Sequence, residues 1–323
     1  MASRYDYAGH FRGIRDQERL VLSPQEITWH ENYEQPTRSV DVLVYLGCHV
    51  MITGHLAVEL TAVLDKLGVD YAAVGGMQFC CGIVHHSHGD EAAANRISSA
   101  TVERMRSYGA KTLVMWCPSC DLQFEDVIIP ALRDSLGMET VHATQFLAER
   151  ATDLPFATPT HCKVAIHTHV GHRRQERDAE ACRALLSAVP GVEVVGEVAS
   201  DLLGYDCVTP EAFRNLSAER GRLLSEARDL GADTLVTLYH SCHRRWCDAD
   251  SPDLRIRNYI SLVADALGCR ADDRYMRLAQ TGEVNDVVES SRQQWSSHGL
   301  SQSKAEEIAQ AHFAPAPPTA NET

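Results

Sequence analysis

Five cysteines in the first half of the chain constrain its fold more tightly than any other feature. A lone cysteine is followed by an adjacent pair and then by a Cys-x-x-Cys: Cys48, Cys80, Cys81, Cys117 and Cys120. Soft thiolate ligands favour iron–sulfur centres or zinc over hard cations. Adjacent cysteines rarely share a tetrahedral zinc ion, and the fifth thiol exceeds what a four-coordinate ion needs. The pattern therefore favours a multi-iron centre, with a zinc site or a set of buried, inert cysteines as the alternatives.

Composition excludes several classes of protein. With 323 residues, 44% hydrophobic and 23% charged, the chain is typical of a globular protein of about two domains. The net charge of −14 argues against nucleic-acid binding, which uses basic surfaces. No apolar run approaches the roughly 20 residues of a membrane-spanning helix, and the first residues lack the apolar segment of a secretory signal. We therefore expect a cytoplasmic protein whose eleven cysteines stay reduced.

The sequence contains an internal duplication. The stretch that begins at Gly109 matches the one that begins at Gly231 in its Gly-Ala, Thr-Leu-Val and Ser-Cys elements, at a constant offset of 122 residues. At the same offset, the apolar run 41–46 matches 163–168. Two matches in the same order predict two related halves.

Each half alternates short apolar strands with helices, which is the pattern of a parallel sheet. Val42–Leu46 and Leu113–Trp116 are typical of buried strands, and a helix is predicted over His55–Leu67, ended by Gly68. A further helix is predicted to open at Thr209-Pro210-Glu211. The predicted fold class is α/β, with two related domains in which helices flank short parallel sheets.

Four segments follow from this division. We expect an N-terminal extension over 1–38, a cluster-binding domain over 39–150, a degenerate domain over 160–270, and a C-terminal helix with a disordered tail over 271–323. The polar helix at 270–312 is a candidate partner-docking segment.

The cysteine frame resembles the CCG, or cysteine-rich, domain of the B-type subunits of heterodisulfide reductase, a family that carries two such domains in tandem. The resemblance rests on the strand–Gly-Cys opening, the Phe-Cys-Cys-Gly core at 79–82 and the Cys-Pro-x-Cys close, and covers about residues 39–270. It implies that Cys48, Cys80, Cys81, Cys117 and Cys120 hold a noncubane 4Fe–4S cluster. In that family, two such clusters split a disulfide by successive one-electron steps. Other relatives serve sulfur oxidation, or transfer electrons in lactate and glycolate oxidation.

Three histidines follow the adjacent cysteine pair directly. His85, His86 and His88 could donate hydrogen bonds to cluster sulfur or to an anionic substrate, and they could equally be solvated loop residues. The catalytic residues are otherwise unknown, and His85 and His86 are the candidates.

The second half does not keep the cysteine pattern. Val170 takes the place of Cys48 and Tyr239 that of Cys117, so a second cluster of the family type is not expected. Other ligand types nevertheless gather there: His167, His169, His172, Asp206, Cys207, His240, Cys242, His243 and Cys247. The candidate second site is His169, Asp206, Cys207 and Cys242, with zinc or iron as its metal. A pocket without metal and a decayed repeat are the alternatives.

The remaining residues of interest are arginines and cysteines that do not belong to the cysteine motif. The arginines Arg173, Arg174, Arg244 and Arg245 could clamp an anion or pair with the acidic surface. Three cysteines are expected to be structural: Cys162, Cys182 and Cys269.

Three functions remain open from the sequence. The first is an iron–sulfur oxidoreductase subunit that acts on a disulfide, a persulfide or protein-bound sulfur, with iron–sulfur and flavin subunits and a sulfur-carrier protein as its partners. The second is an electron-transfer or assembly subunit without a substrate of its own. The third is a zinc-binding protein with no redox function.

Overall fold

Two four-stranded parallel sheets form the centre of the protein. The structure is a computed structural model that describes residues 5–132, 136–169, 173–200, 207 and 216–314. The strand orders are β2-β1-β3-β4 and β6-β5-β7-β8. The strands are β1 (Val42–Gly47), β2 (Tyr71–Gly75), β3 (Thr112–Met115), β4 (Glu139–His142), β5 (Cys162–His169), β6 (Val192–Ser200), β7 (Thr234–Thr237) and β8 (Arg255–Asn258). The predicted α/β class with two related halves is confirmed.

The two sheets share their register as well as their order. Val44 pairs with Val114 between β1 and β3, and Ile166 pairs with Val236 between β5 and β7. Both partners of the second pair lie 122 residues after those of the first. The duplication seen in the sequence is therefore a duplication of structure.

Helices connect and flank the strands. They are α1 (Tyr7–Val21), α2 (Gly54–Lys66), α3 (Ile83–Ser87), α4 (Glu91–Arg106), α5 (Pro118–Gln123), α6 (Ile129–Ala131), α7 (Ala143–Ala148), α8 (Arg173–Ala188), α9 (Leu216–Asp229), α10 (His240–Trp246), α11 (Tyr259–Ala266), α12 (Arg274–Thr281), α13 (Val284–Ser290), α14 (Arg292–Ser297) and α15 (Gln302–His312). The helix start predicted at 209–211 lies outside the described residues. None of the helices in the described ranges has the length and apolarity needed to cross a bilayer.

Strand β1 shows why the first half folds as it does. All six of its residues are buried, as expected for a parallel strand covered on both faces. Leu43 and Tyr45 enter one apolar core, whereas Val44 and Leu46 enter the other. The alternation of side chains along a strand thus fixes which residues of β1 face each layer.

Helix α2 packs through a single apolar stripe. Leu56, Leu60 and Leu64 recur every four residues and are buried. Gly68, with φ of 67°, follows the helix in the left-handed conformation that commonly ends helices. The predicted helix over 55–67 is thus present, one residue earlier at each end.

The two halves share an interface with an extensive apolar core. One continuous core cluster includes residues of both sheets. Across it, the rings of Trp116 and Tyr259 lie 5.8 Å apart between centroids. Arg174 of α8 forms ion pairs with Asp121 and Glu125 of the first half. This packing brings the second half against the carboxyl edge of the first sheet.

The terminal segments pack together on the first half. Helix α1 contacts α14, α15 and the turn after β1, His49–Thr53. The prediction of one polar C-terminal helix is wrong: four short helices occupy this region, and each buries apolar side chains such as Trp295 and Ile308. Residues 315–323, at the end of the tail that the sequence predicts to be disordered, lie outside the described ranges. The four segment boundaries given above stay predictions.

Glu59 links the two halves and makes their packing sensitive to pH. It is buried on α2, where it accepts hydrogen bonds from Ser261 Oγ at 2.6 Å and from the Ala271 backbone N–H at 3.2 Å. Burial raises the pKa of its carboxyl from about 4.5 to about 8. Because the folded state holds this proton more tightly than the unfolded state, the free energy of unfolding falls as pH rises from about 4.5 to about 8.

We predict that Glu59→Gln removes this dependence. At pH 5 the variant and the parent should have similar denaturant midpoints, whereas at pH 9 the variant should be more stable by up to about 4 kcal/mol. Denaturant titrations at both pH values measure the difference, with the exposed Glu103→Gln as the control. If the difference in stability between Glu59→Gln and the parent were the same at pH 5 and at pH 9, the raised pKa of Glu59 would be contradicted.

Candidate metal centre

The carboxyl edge of the first sheet gathers the five cysteines. Chain order reverses between β1 and β3, since β2 lies on one side of β1 and β3 on the other. Sites in open parallel sheets form at the carboxyl ends of strands at such a reversal. Cys48 directly follows β1, and Cys117 begins the turn into α5 after β3. The topology therefore brings these sequence-distant cysteines together.

All five cysteines line one cavity of about 410 Å³. Each is buried and none forms a disulfide. Other side chains complete the lining: the N-terminal segment contributes Tyr5 and His10, the segment after the cysteine pair contributes Ile83, Val84, Ser87 and His88, and the second half contributes His240, Ser241 and Arg244. His49 and Ser119, which lie next to Cys48 and between Cys117 and Cys120, are the remaining two. The structure thus brings together all five predicted first-half residues, with room among them for a group larger than a single ion.

Neighbouring thiols around this cavity form hydrogen bonds with one another. Hydrogen bonds from Cys48 and Cys81 lower the pKa of the Cys80 thiol well below its ordinary value. A hydrogen bond from Cys120 lowers the pKa of Cys117, and His240 adds to the effect. A further hydrogen bond between Cys81 and Cys120 joins the lone cysteine, the adjacent pair and the Cys-x-x-Cys into one group. Such a dense set of buried thiols is a typical ligand set for soft metals.

Two glycines allow the backbone to approach this group. Gly47 has φ of 78°, and a Cβ there would lie 3.0 Å from Cys117 Cβ and 3.1 Å from Cys120 Sγ. Gly82 has φ of 84°, and its N–H donates to Cys80 Sγ at 3.4 Å. Both positions need a left-handed conformation and lack space for a side chain.

The predicted catalytic histidines do not line the cavity, but their neighbour does. His85 stacks on Tyr7 at 3.9 Å between ring centroids, and His86 Nδ1 lies 3.0 Å from Glu91. His88 lines the cavity and stacks on Tyr5 at 3.7 Å. The role suggested for His85 and His86 therefore stays a prediction, and the structure offers His88 instead.

Two further histidines at the cavity were missed in the sequence. His10 Nε2 and His49 Nε2 lie 3.0 Å apart, and Arg244 contacts His49 Nδ1 at 3.4 Å. Burial, followed by the charge of Arg244, lowers the pKa of both histidines. His49 adjoins Cys48 and could have been noticed, whereas His10 reaches the site only through the packing of α1.

Arg244 is the cationic side chain that lines this cavity. Within the described ranges, no carboxylate lies within ion-pair distance of its guanidinium. The lowered pKa of His10 and of His49 leaves both rings neutral near pH 7. The arginine therefore supplies positive charge next to the five thiols, where a sulfur-ligated centre or an anion would need it.

A second group of candidate ligands lies at the matching edge of the second sheet. His169 Nε2 is 3.2 Å from Cys242 Sγ and 3.4 Å from Cys207 Sγ. His167 Nε2 joins them, 3.9 Å from Cys207 Sγ. His169, Cys207 and Cys242 are thus brought together as the sequence predicted, with His167 as the fourth member. Asp206, and also His172, lie outside the described residues.

The other candidates of the second half lie elsewhere. His240 faces Cys117 across the interface, and His243 Nε2 lies 2.7 Å from Asp273 Oδ2. Cys247 is buried beside α10 and belongs to neither cysteine group. Cys162, Cys182 and Cys269 also lie outside both groups, as predicted for structural cysteines. The side chain of Arg173 is not described, and Arg245 is partly buried.

Comparison with known proteins agrees with this arrangement. Residues 42–125 match the CCG cysteine-rich domain family. The chain is 27% identical over 274 residues to the D-type subunit of dihydromethanophenazine:CoB–CoM heterodisulfide reductase from Methanosarcina barkeri, covering 79% of this chain and 64% of the relative. It is 24% identical over 201 residues to the EtfAB:quinone oxidoreductase of Syntrophomonas wolfei, covering 61% of this chain and 26% of that protein.

A solved structure shows a similar fold. A hypothetical protein from Helicobacter pylori matches with a TM-score of 0.51 and 12% identity, over 86% of this chain and 57% of that one. The chain matches only 64% of the length of the Methanosarcina barkeri relative. The chain carries a CCG cysteine-rich domain and is homologous to the D-type subunits of heterodisulfide reductase.

Proposed function

We propose that this protein is an iron–sulfur redox subunit whose cluster is held by Cys48, Cys80, Cys81, Cys117 and Cys120. The observation that carries the proposal is the convergence of these five buried thiols on one cavity. A tetrahedral ion would leave one thiol without a role, whereas a multi-iron cluster can use all five. The homology to heterodisulfide reductase subunits supports an iron–sulfur cluster. The noncubane 4Fe–4S type is what the resemblance of the cysteine frame implies.

The donor set fits such a group on physical grounds. Five free thiols crowd one buried region. Hydrogen bonds with Cys117 and Cys81, followed by burial, raise the pKa of Cys120 well above its ordinary value. The pKa of Cys81 is also raised well above its ordinary value: its hydrogen bond with Cys120 lowers it, but the hydrogen bond with Cys80 and burial outweigh that effect. Burial disfavours the charged thiolate forms of these groups, whereas a bound metal would stabilise them. The glycine at 47 keeps one wall of the cavity clear of side-chain carbon.

The residues around the thiols suggest how a sulfur compound could be handled. The cavity is lined partly by the apolar Ile83 and Val84, which would exclude water from a bound disulfide or persulfide. Arg244 offers a charge for an anionic substituent, and Ser119 offers a hydroxyl. When bound, the cluster would supply single electrons to a sulfur–sulfur bond, whose cleavage requires two.

The partners belong to the same proposal. The heterodisulfide reductase relatives are subunits of larger enzymes, as their names state. We expect iron–sulfur and flavin subunits to exchange electrons with this chain, and a sulfur-carrier protein to present the substrate. The EtfAB:quinone oxidoreductase relative favours a second candidate, in which the chain relays electrons and has no substrate of its own.

The paramagnetic signal of the reduced protein distinguishes these two candidates. If the cluster binds sulfur, small disulfides, persulfides or thiols added under anaerobic conditions should change the g-values of the signal. If none of these compounds changes the g-values, the relay function is supported and a sulfur substrate at the cluster is contradicted.

We predict that Cys81→Ser abolishes the cluster while the sheets stay folded. Serine keeps the size of the side chain but replaces the soft sulfur ligand. Iron and acid-labile sulfide, measured after anaerobic purification, should fall to a minor fraction of the parent level. Cys182→Ser is the matched control, because Cys182 is also fully buried but lies outside both ligand groups. Full iron content with an unchanged spectrum in Cys81→Ser would refute the ligand assignment.

A second prediction concerns the glycine beside the thiols. Gly47→Ala should lower iron content strongly, because the new methyl group would displace Cys117 and Cys120. Gly68→Ala controls for backbone strain, since Gly68 also has positive φ, 67°, but a Cβ there would meet no atom within 4 Å. Equal iron content in the two variants would show that the close approach at Gly47 has no part in binding the cluster.

A third prediction concerns charge. Arg244→Gln should make the reduction potential of the cluster more negative by tens of millivolts, because a cation near the cluster favours the reduced, more negative form. Iron content should stay the same. Anaerobic redox titration measures the shift, with the exposed Arg228→Gln as the control. A potential that is equal in both variants would contradict the placement of Arg244 at the cluster.

A further inference from the structure

Two histidines and two cysteines form a compact buried group in the second half. His167, His169, Cys207 and Cys242 are all buried, and their ligand atoms lie within 4.8 Å of one another. His167 and His169 are alternate residues of β5, so both side chains stand on the same face of that strand. Cys242 lies in α10, directly after β7. The group therefore occupies the carboxyl edge of the second sheet, as the five thiols occupy that of the first.

The separations suit one tetrahedral ion. With Zn–N of about 2.05 Å and Zn–S of about 2.3 Å, a tetrahedral centre places nitrogen and sulfur ligands about 3.6 Å apart. Three nitrogen–sulfur distances in the group are 3.2, 3.4 and 3.9 Å, on both sides of that value. A two-iron centre would divide its histidines and cysteines between two metal atoms and hold them further apart.

The duplication shows how this site relates to the first one. Cys242 corresponds to Cys120 at the offset of 122 residues, so one thiol of the ancestral set is retained there. At the same offset His169 takes the place of Gly47, the residue whose missing side chain leaves room for the first-half thiols. An imidazole therefore fills the space that a cluster would need.

The second histidine arises in the same way. His167 takes the place of Tyr45, which is buried and donates a hydrogen bond to the Phe79 carbonyl at 2.5 Å in the first half. In both halves, a cysteine that follows the second strand contacts a cysteine in the helix after the third strand: Cys81 with Cys120, and Cys207 with Cys242. Two thiols are thus kept, and two strand positions that carried no metal ligand now carry imidazoles.

We propose that His167, His169, Cys207 and Cys242 bind one zinc ion that stabilises the second half. Two cysteines and two histidines are a typical closed ligand set for structural zinc. Trp246 Nε1 donates a hydrogen bond to Cys207 Sγ at 3.1 Å, a contact that orients and stabilises a metal-bound thiolate. The group is buried and supplies four ligands, so it leaves no position open for a substrate. The ion fixes α10, which carries Arg244 and His240 to the cavity of the first half.

Metal analysis of the full-length protein tests this proposal. After anaerobic purification we expect about one zinc per chain. X-ray absorption at the zinc edge should show two sulfur ligands at about 2.3 Å and two nitrogen ligands at about 2.0–2.1 Å. A zinc shell of four sulfur atoms, or no zinc in the protein and no uptake of one equivalent of Zn²⁺, would overturn the proposal.

Variants separate this site from the proposed cluster. Cys242→Ser should lose zinc and keep most of its iron, whereas Cys120→Ser should lose iron and keep its zinc. Cys182→Ser should keep both metals. Zinc at the parent level in Cys242→Ser, or lost in Cys120→Ser alone, would refute the assignment. If Cys242→Ser does not fold, the absorption spectrum of the parent protein decides the question alone.

Discussion

The convergence of five buried thiols at one sheet edge is the interaction on which the rest of the first half depends. A parallel sheet whose chain order reverses between β1 and β3 brings Cys48 and Cys117 to the same edge, and the turn after β2 brings the adjacent cysteine pair. This convergence imposes costs elsewhere in the structure. Gly47 and Gly82 adopt left-handed conformations, and several thiols are held where burial opposes their ionisation. A metal centre bound by the thiolates, as proposed here, would offset these costs, because metal binding and folding would then be coupled.

The second half has the same sheet but does not keep the five cysteines. Its sheet keeps the strand order and register of the first, yet histidines replace Tyr45 and Gly47 at the edge. The half also gains a new role through its position. His240 and Arg244 reach across the interface to the cavity of the first half, so the second half contributes to a site whose five thiols it does not supply.

Much of this organisation is predictable from the sequence. The α/β class, the duplication and the α2 stripe follow from apolar periodicity and a fixed offset, which are local signals. The grouping of the first-half thiols follows from their motif. The positions of His10 and His49 do not, because they depend on how α1 packs against the turn after β1. The sequence predicts one C-terminal helix where the structure has four, since short breaks at Gly282, Ser291 and Gly299 interrupt a polar pattern only briefly.

Iron and acid-labile sulfide, counted per chain in protein purified without oxygen, test the central claim most directly. We expect about four of each, the content of a single 4Fe–4S cluster in the first half. About eight of each would mean that the second half also holds a cluster, in contradiction to the ligand set described here. Zinc without iron would remove the redox function altogether.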